Sequence, residues 1–282
     1  MSGRIQVRRI YNVHGWDQAN VFSRVDGSRF VTLFDIRANV LKAKHDVFIK
    51  ISTGKDCLTD NPLEGYSRES YSVLLPEDLQ IQVASVIEEL KSRSIYDVSN
   101  MTLVMSGFGE VSYNPYAPLL FKWVKSTIKA HGVGCEQLNG FVSTIAPKDN
   151  PRFDRFLLDM QSVSDLLDES ALTVIIGPSD LAKREVVYNS NVLSFEEIEH
   201  LLFKCCKSFK GDFKLFVVEE DLKNFSGESL KRFNSERYEF QVTAIKFPEK
   251  GIDEIPNSQR CKFVRGTSLV TSFVTPEDLK GD

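Results

Sequence analysis

The stretch Met105-Ser106-Gly107-Phe108-Gly109-Glu110 puts two glycines and a carboxylate directly after the apolar run Thr102-Leu103-Val104 and ahead of a helix opening near Pro115. In parallel α/β proteins, ligands bind at the C-terminal ends of strands. Glycine lets the backbone approach a ligand closely, and Glu110 has the chemistry to grip an amine or a hydroxyl. The same residues also read as a tight strand-to-helix turn with a solvated glutamate, because short glycine motifs are common. A second set, Asp56, Asp60 and Glu64, follows the apolar run Val47–Ile51. These carboxylates are candidates for acid/base work or for Mg²⁺, although carboxylates in a polar loop are usually just solvated. Cys57, Cys135, Cys205, Cys206 and Cys261 are odd in number and contain no C-x-x-C pair. They read as buried thiols of a reducing compartment, with the cytoplasm expected. His14, His45, His131 and His200 show no zinc-site spacing, so no metal site is expected from them.

With 282 residues, 42% hydrophobic and 26% charged, the chain has the composition of an ordinary globular protein. There is no apolar run of membrane-spanning length, and no membrane partner is expected. The residues after Met1 alternate like a strand, so neither a secretory signal nor a mitochondrial presequence is expected. The net charge of −4 argues against a whole-surface nucleic-acid binder, so RNA contact would need a local basic patch. Two lysine sets are candidates: Lys122, Lys125 and Lys129 on one face of the Pro115 helix, and Lys204, Lys207 and Lys210 at the end of a later helix. The helix macrodipole favours lysines at those places as well.

Several elements must position these groups. Ile5–Tyr11, Asn20–Val25 and Arg29–Ile36 read as strands, with Asp26-Gly27 as a hairpin turn. From residue 46 strands and helices alternate. The strands are Val47–Ile51, Leu103–Met105, Gly140–Thr144, Ala171–Ile176, Phe213–Val218 and Phe240–Ile245, with a short last one at Phe263-Val264. The helices are Pro76–Ser92, Pro115–His131, one opening at Asn150-Pro151-Arg152, and one opening with the capping box Ser194-Phe195-Glu196-Glu197. The pattern predicts an α/β fold: a partial or closed barrel over 46–265, preceded by a small antiparallel lead-in over 1–45 and followed by a tail over 266–282. A two-domain Rossmann arrangement is the alternative.

The order of these segments resembles the radical-SAM adenine methyltransferases of large-subunit ribosomal RNA (the RlmN/Cfr group). Val21–Ile36 is similar to that family's lead-in strands, and Ser72–Asp78 to the entry of its first barrel helix. Met105–Glu110 is similar to its M-G-x-G-E segment, Phe141–Thr144 to its S-T strand end, and Gly177-Pro178-Ser179-Asp180 to its P-N-D turn. Lys183-Arg184-Glu185, Tyr188-Asn189 and Arg265-Gly266 continue the order, so the likeness runs over about residues 20–270. It implies a radical-SAM barrel in which Gly107, Gly109, Glu110 and Ser143 bind S-adenosylmethionine (SAM).

The departures are as specific as the likeness. The family holds a [4Fe–4S] cluster with a C-x-x-x-C-x-x-C run, which here reads Cys57, Asn61, Glu64. One thiolate, a poor amide ligand and a hard carboxylate do not suit that cluster. The family's two catalytic cysteines fall near Lys50 and Phe273, and neither residue can carry a methyl group as a thiolate does. The strand end that holds its histidine reads Ile175-Ile176-Gly177, and its later asparagine falls on Pro248. The resemblance therefore implies a catalytically degenerate relative, a pseudoenzyme without catalytic residues. Its expected role is binding or scaffolding, with ribosomal RNA, a ribonucleoprotein or a protein as partner. The alternative is an enzyme that keeps SAM but runs non-radical chemistry.

Overall fold

The computed structural model describes residues 5–13, 16–56, 72–177, 191–205, 209–218 and 241–245. Nine strands form one mixed sheet in chain order. The first four are antiparallel: β1 (Gln6–Val13), β2 (Trp16–Ser23), β3 (Arg29–Asn39) and β4 (Lys44–Ile51). From β4 onward the sheet is parallel, through β5 (Asp97–Met105), β6 (Gly134–Thr144), β7 (Glu169–Gly177), β8 (Asp212–Val218) and β9 (Gln241–Ile245).

The sheet is open, which corrects the closed form of the expected barrel. Closing it would require β9 to pair with the free edge of β4. That edge is occupied by β3 along its whole length, from Thr32 opposite Ile51 to Asn39 opposite Lys44. The strand order never reverses, so the switch point of a doubly wound Rossmann sheet is absent from the described residues as well. Among those residues no helix is long and apolar enough to cross a membrane. The strand expected at Phe263-Val264 and the tail over 266–282 lie outside the described residues.

The helices α1 (Pro76–Ser92), α2 (Ala117–Ala130), α3 (Phe153–Ser164) and α4 (Phe195–Cys205) pack in sequence, each against the next. Right-handed crossovers between neighbouring parallel strands put successive helices on one face. Side-chain alternation along the strands then separates two cores. Val47, Ile49 and Ile51 of β4 and Met101, Leu103 and Met105 of β5 join the helix-side core, which contains the expected α1 stripe Leu79, Val83, Val86 and Leu90. The opposite, inner face holds a smaller cluster built from the end of β1, from β2 and β3, and from a single loop residue, Phe108.

Local chemistry fixes the ends of these elements. At the Asp26-Gly27 turn, Gly27 has φ 83° and its N–H donates to the Arg24 carbonyl (3.0 Å). The Asp26 carboxylate accepts from the hydroxyl and N–H of Ser28, and Lys55 lies nearby; together these hold its pKa down to about 2. The Ser194 box closes as expected: Glu197 Oε2 accepts from Ser194 N–H (2.8 Å) and Ser194 Oγ accepts from Glu197 N–H (3.3 Å). Gln82 of α1 holds the end of β4, accepting from Ser52 N–H (2.9 Å) and Thr32 O–H (2.7 Å) and donating to the Ser52 carbonyl (3.0 Å). β5 and β6 begin well before the apolar runs that reveal them. Their early inner-face positions pair polar with polar, Asn100 beside Gln137 and Thr102 beside Asn139, which hides the strand signal.

Candidate ligand site at the strand ends

Beyond Met105 the chain reverses between two glycines in the left-handed region, Gly107 (φ 90°) and Gly109 (φ 100°). The Gly109 N–H donates to the Gly107 carbonyl at 2.7 Å, which makes the turn as tight as a three-residue turn allows. The turn drives Phe108 inward. Its side chain is 1% exposed and packs in the inner-face cluster with Val13, Trp16, Ala19, Val21, Val31 and Leu33. Its carbonyl accepts from Thr53 N–H (2.9 Å). The ammonium of Lys50, itself fully buried on β4, lies 5.1 Å from the centre of the Phe108 ring, within the range of a cation–π contact.

Glu110 is not the solvated glutamate of a simple turn. It is buried and caps the short 3₁₀ turn Val111–Tyr113, accepting from Ser112 N–H (3.1 Å). It also accepts from the Thr144 hydroxyl (2.5 Å) and from Ile145 N–H (3.0 Å), joining the ends of β5 and β6. Burial pushes its carboxyl above the ordinary glutamate range, against the pull of these bonds from Thr144, Ser112 and Ile145. A carboxylate has about four acceptor sites, and the chain itself supplies donors for them here, the Ser112 hydroxyl included.

The surrounding loops are cross-tied in the same way. Asn114 Nδ2 donates to the carbonyls of Thr53 (2.7 Å) and Leu74 (3.0 Å), and Asn150 Nδ2 donates to the Ser112 carbonyl (2.8 Å). The Tyr113 hydroxyl donates to Asp149 Oδ1 at 2.5 Å. Among the described residues Ser106 Oγ is buried and has no hydrogen-bond partner.

The structure thus gathers Gly107, Gly109 and Glu110 into one turn. Ser143 is buried at the end of β6, in register with Thr173 of β7, but the hydroxyl that reaches Glu110 belongs to Thr144. Successive strand residues face opposite sides of a sheet, so the S-T pair divides between the inner face and the helix side. Sequence reasoning missed Phe108, Lys50 and Thr144. The signal available for Thr144 was parity with the core residue Val142, and for Phe108 it was an aromatic residue held between two turn glycines.

Asp56 is exposed and pairs with the start of β3: its Oδ1 accepts from Arg29 N–H (2.8 Å) and its own N–H donates to the Arg29 carbonyl (2.6 Å). Asp60 and Glu64 lie outside the described residues, as do Cys57, Asn61, Lys207, Pro248, Phe273 and the segments 178–190 and 265–266.

The donor set decides how well a [4Fe–4S] cluster fits. Among the described residues the half-buried Cys135 cannot supply a thiolate to the strand ends. It sits at the start of β6, and at the strand rise the residues between it and Ser143 span about 26 Å. Cys57, the single cysteine of the expected cluster run, lies outside the described residues, as do Cys206 and Cys261.

No protein-family model and no curated protein matches the chain. Among solved structures, the fold is similar to a radical SAM methyltransferase from Sphaerobacter thermophilus. That match has a TM-score of 0.47 and 13% identity, and it covers 85% of this chain and 77% of the other. A likeness that remote leaves the functional reading to the chain's own residues.

Proposed function

We propose that this chain is a non-catalytic binding factor on a radical-SAM-type α/β sheet, with an RNA or a ribonucleoprotein as its partner. The observation that carries the reading is the use of the glycine turn: Phe108 and Glu110 are spent on the chain's own interior. The ring fills the inner face beneath the strand ends, and the carboxylate ties β5 to β6. The departures at Asn61, Glu64, Lys50 and Phe273 support it from the sequence side. Anaerobic reconstitution with iron and sulfide tests the reading. The expected outcome is no stoichiometric cluster; a full [4Fe–4S] complement per chain with its absorbance overturns it.

A second reading has its own observation. Among the described residues Ser106 Oγ is buried without a partner, next to the glycine turn in sequence. An unsatisfied buried hydroxyl is costly, and the amino end of SAM is a polar group that could satisfy it. Titration calorimetry with SAM and S-adenosylhomocysteine separates the two readings. Heat of binding that disappears in Ser106→Ala favours retained SAM, and absence of heat at high ligand concentration removes it.

A further inference from the structure

The opposite end of the same strands carries a groove that the reading above does not use. It lies between the C-terminal turn of α2 and the start of β6, and its volume is about 540 Å³. That is within the usual range of small-ligand sites. Ile128, Val133 and Leu138 give it an apolar floor, and Lys125 and Lys129 line it from α2. Its rim includes Gly132, with φ 71° and open space where a Cβ would stand, and Gly134. The Gly134 N–H donates to the Tyr96 carbonyl (2.8 Å), which places the backbone of the exposed Tyr96 beside the rim.

The charges around the groove are unevenly matched. Glu136 is held by Lys42 (3.2 Å) and Lys44 (2.7 Å), and Lys44 also holds Asp97 (2.6 Å). The Asp168 carboxylate accepts from Leu138 N–H (2.8 Å). Lys125 and Lys129 have no acidic partner among the described residues, and neither does Lys122, one turn earlier on the same exposed face. By contrast Lys55, Lys148 and Lys210 elsewhere each have one. At the helical rise the three lysines span about 10 Å, which is longer than a single phosphate. Glu136 and Asp168 also line the groove, and in a chain of net charge −4 the three lysines form a cation stripe along α2 that continues past it.

We propose that this groove is a nucleotide-binding site, occupied by one nucleotide of a single-stranded nucleic acid whose phosphates run along Lys122, Lys125 and Lys129, with Tyr96 as the base-stacking platform. Cation stripes flanked by an exposed aromatic are how single strands are held without sequence readout. An acidic peptide would use the lysines but not the ring, and a free nucleotide would not need Lys122. The proposal rests on the binding-factor reading by naming the surface that binds; the iron and SAM measurements address the other end of the strands, so the two can fail separately.

The test is fluorescence anisotropy of a labelled single-stranded oligoribonucleotide with the full chain, over a range of salt. Replacing Lys122, Lys125 and Lys129 together with Ala is expected to weaken binding and to flatten the slope of log K against log salt by about 2, at about 0.7 per phosphate contact. The corresponding triple Arg variant is expected to retain both. Tyr96→Ala is expected to lower affinity about fivefold or more with the slope unchanged. Circular dichroism confirms that each variant is folded. The proposal is overturned by absence of binding at low salt, by an unchanged slope in the triple Ala variant, by polyglutamate competing as well as unlabelled RNA, or by uridine monophosphate competing as well as the strand.

Discussion

The two ends of β5 and β6 treat charge in opposite ways. At the C-terminal end, a buried carboxylate is answered by a hydroxyl and two backbone N–H groups, and a buried ammonium lies over an aromatic ring. At the N-terminal end, three lysines stand on one helix face without an ion-pair partner among the described residues, while Glu136 beside them is held by Lys42 and Lys44. At the end with the suggestive motif the charged groups are thus answered by the chain itself, and the end without one keeps lysines that no carboxylate pairs among the described residues. Residue types announce a site only until their partners are known. A glutamate after glycines is a ligand grip if its oxygens are free, and a structural tie if the chain has already filled them.

Breaking the first end should have the largest effect. Phe108→Ala removes a buried ring together with its contact to Lys50, and is expected to destabilise the fold by about 3–5 kcal/mol in urea unfolding. A cost below about 1 kcal/mol would mean that the inner face is an open mouth and that the contrast between the ends is wrong.

Next in size is Glu110→Ala, which leaves the Ser112 and Ile145 N–H groups without an acceptor, at about 1–3 kcal/mol. The isosteric Glu110→Gln sharpens the point through pH. Burial raises the folded pKa of Glu110 above its unfolded value, so the folded state binds that proton more firmly. Its contribution to stability is therefore greatest at acid pH, and it declines as pH rises from the ordinary glutamate range through the raised value. Stability of Glu110→Gln is expected to lack that decline; an identical pH profile in the two proteins would show that Glu110 is not buried as a charge.

The smallest effect is expected at the second end. Alanine at Lys122, Lys125 and Lys129 should change unfolding free energy by no more than about 0.5 kcal/mol at each position, because exposed side chains without partners contribute little. A larger loss would reveal structural contacts for the stripe and remove the contrast with Glu110.

Much of the architecture was legible in the chain. The apolar periodicities of α1, β3 and β4, the Asp26-Gly27 turn and the Ser194 box each reappear as read. Their signals are local: an apolar stripe, a glycine with positive φ, a hydroxyl three residues from a carboxylate. The openness of the sheet was not legible, because it depends on which strand takes the second edge of β4, a question of pairing between segments. The full lengths of β5 and β6 were obscured because their inner-face positions are polar. At the site, the two glycines and Glu110 were placed together by adjacency in sequence. The preference for Thr144 over Ser143 turns on strand parity at the last residue, where a shift of one position exchanges the two faces.

The strand order has a consequence for how the molecule comes into being. Among the described residues the nine strands lie side by side in the order in which they occur in the chain, so every ladder joins two strands that are consecutive in sequence. Pairing between consecutive strands keeps loop-closure entropy low as the ladders form. During synthesis the sheet can lengthen from its growing edge, protecting each strand soon after it emerges.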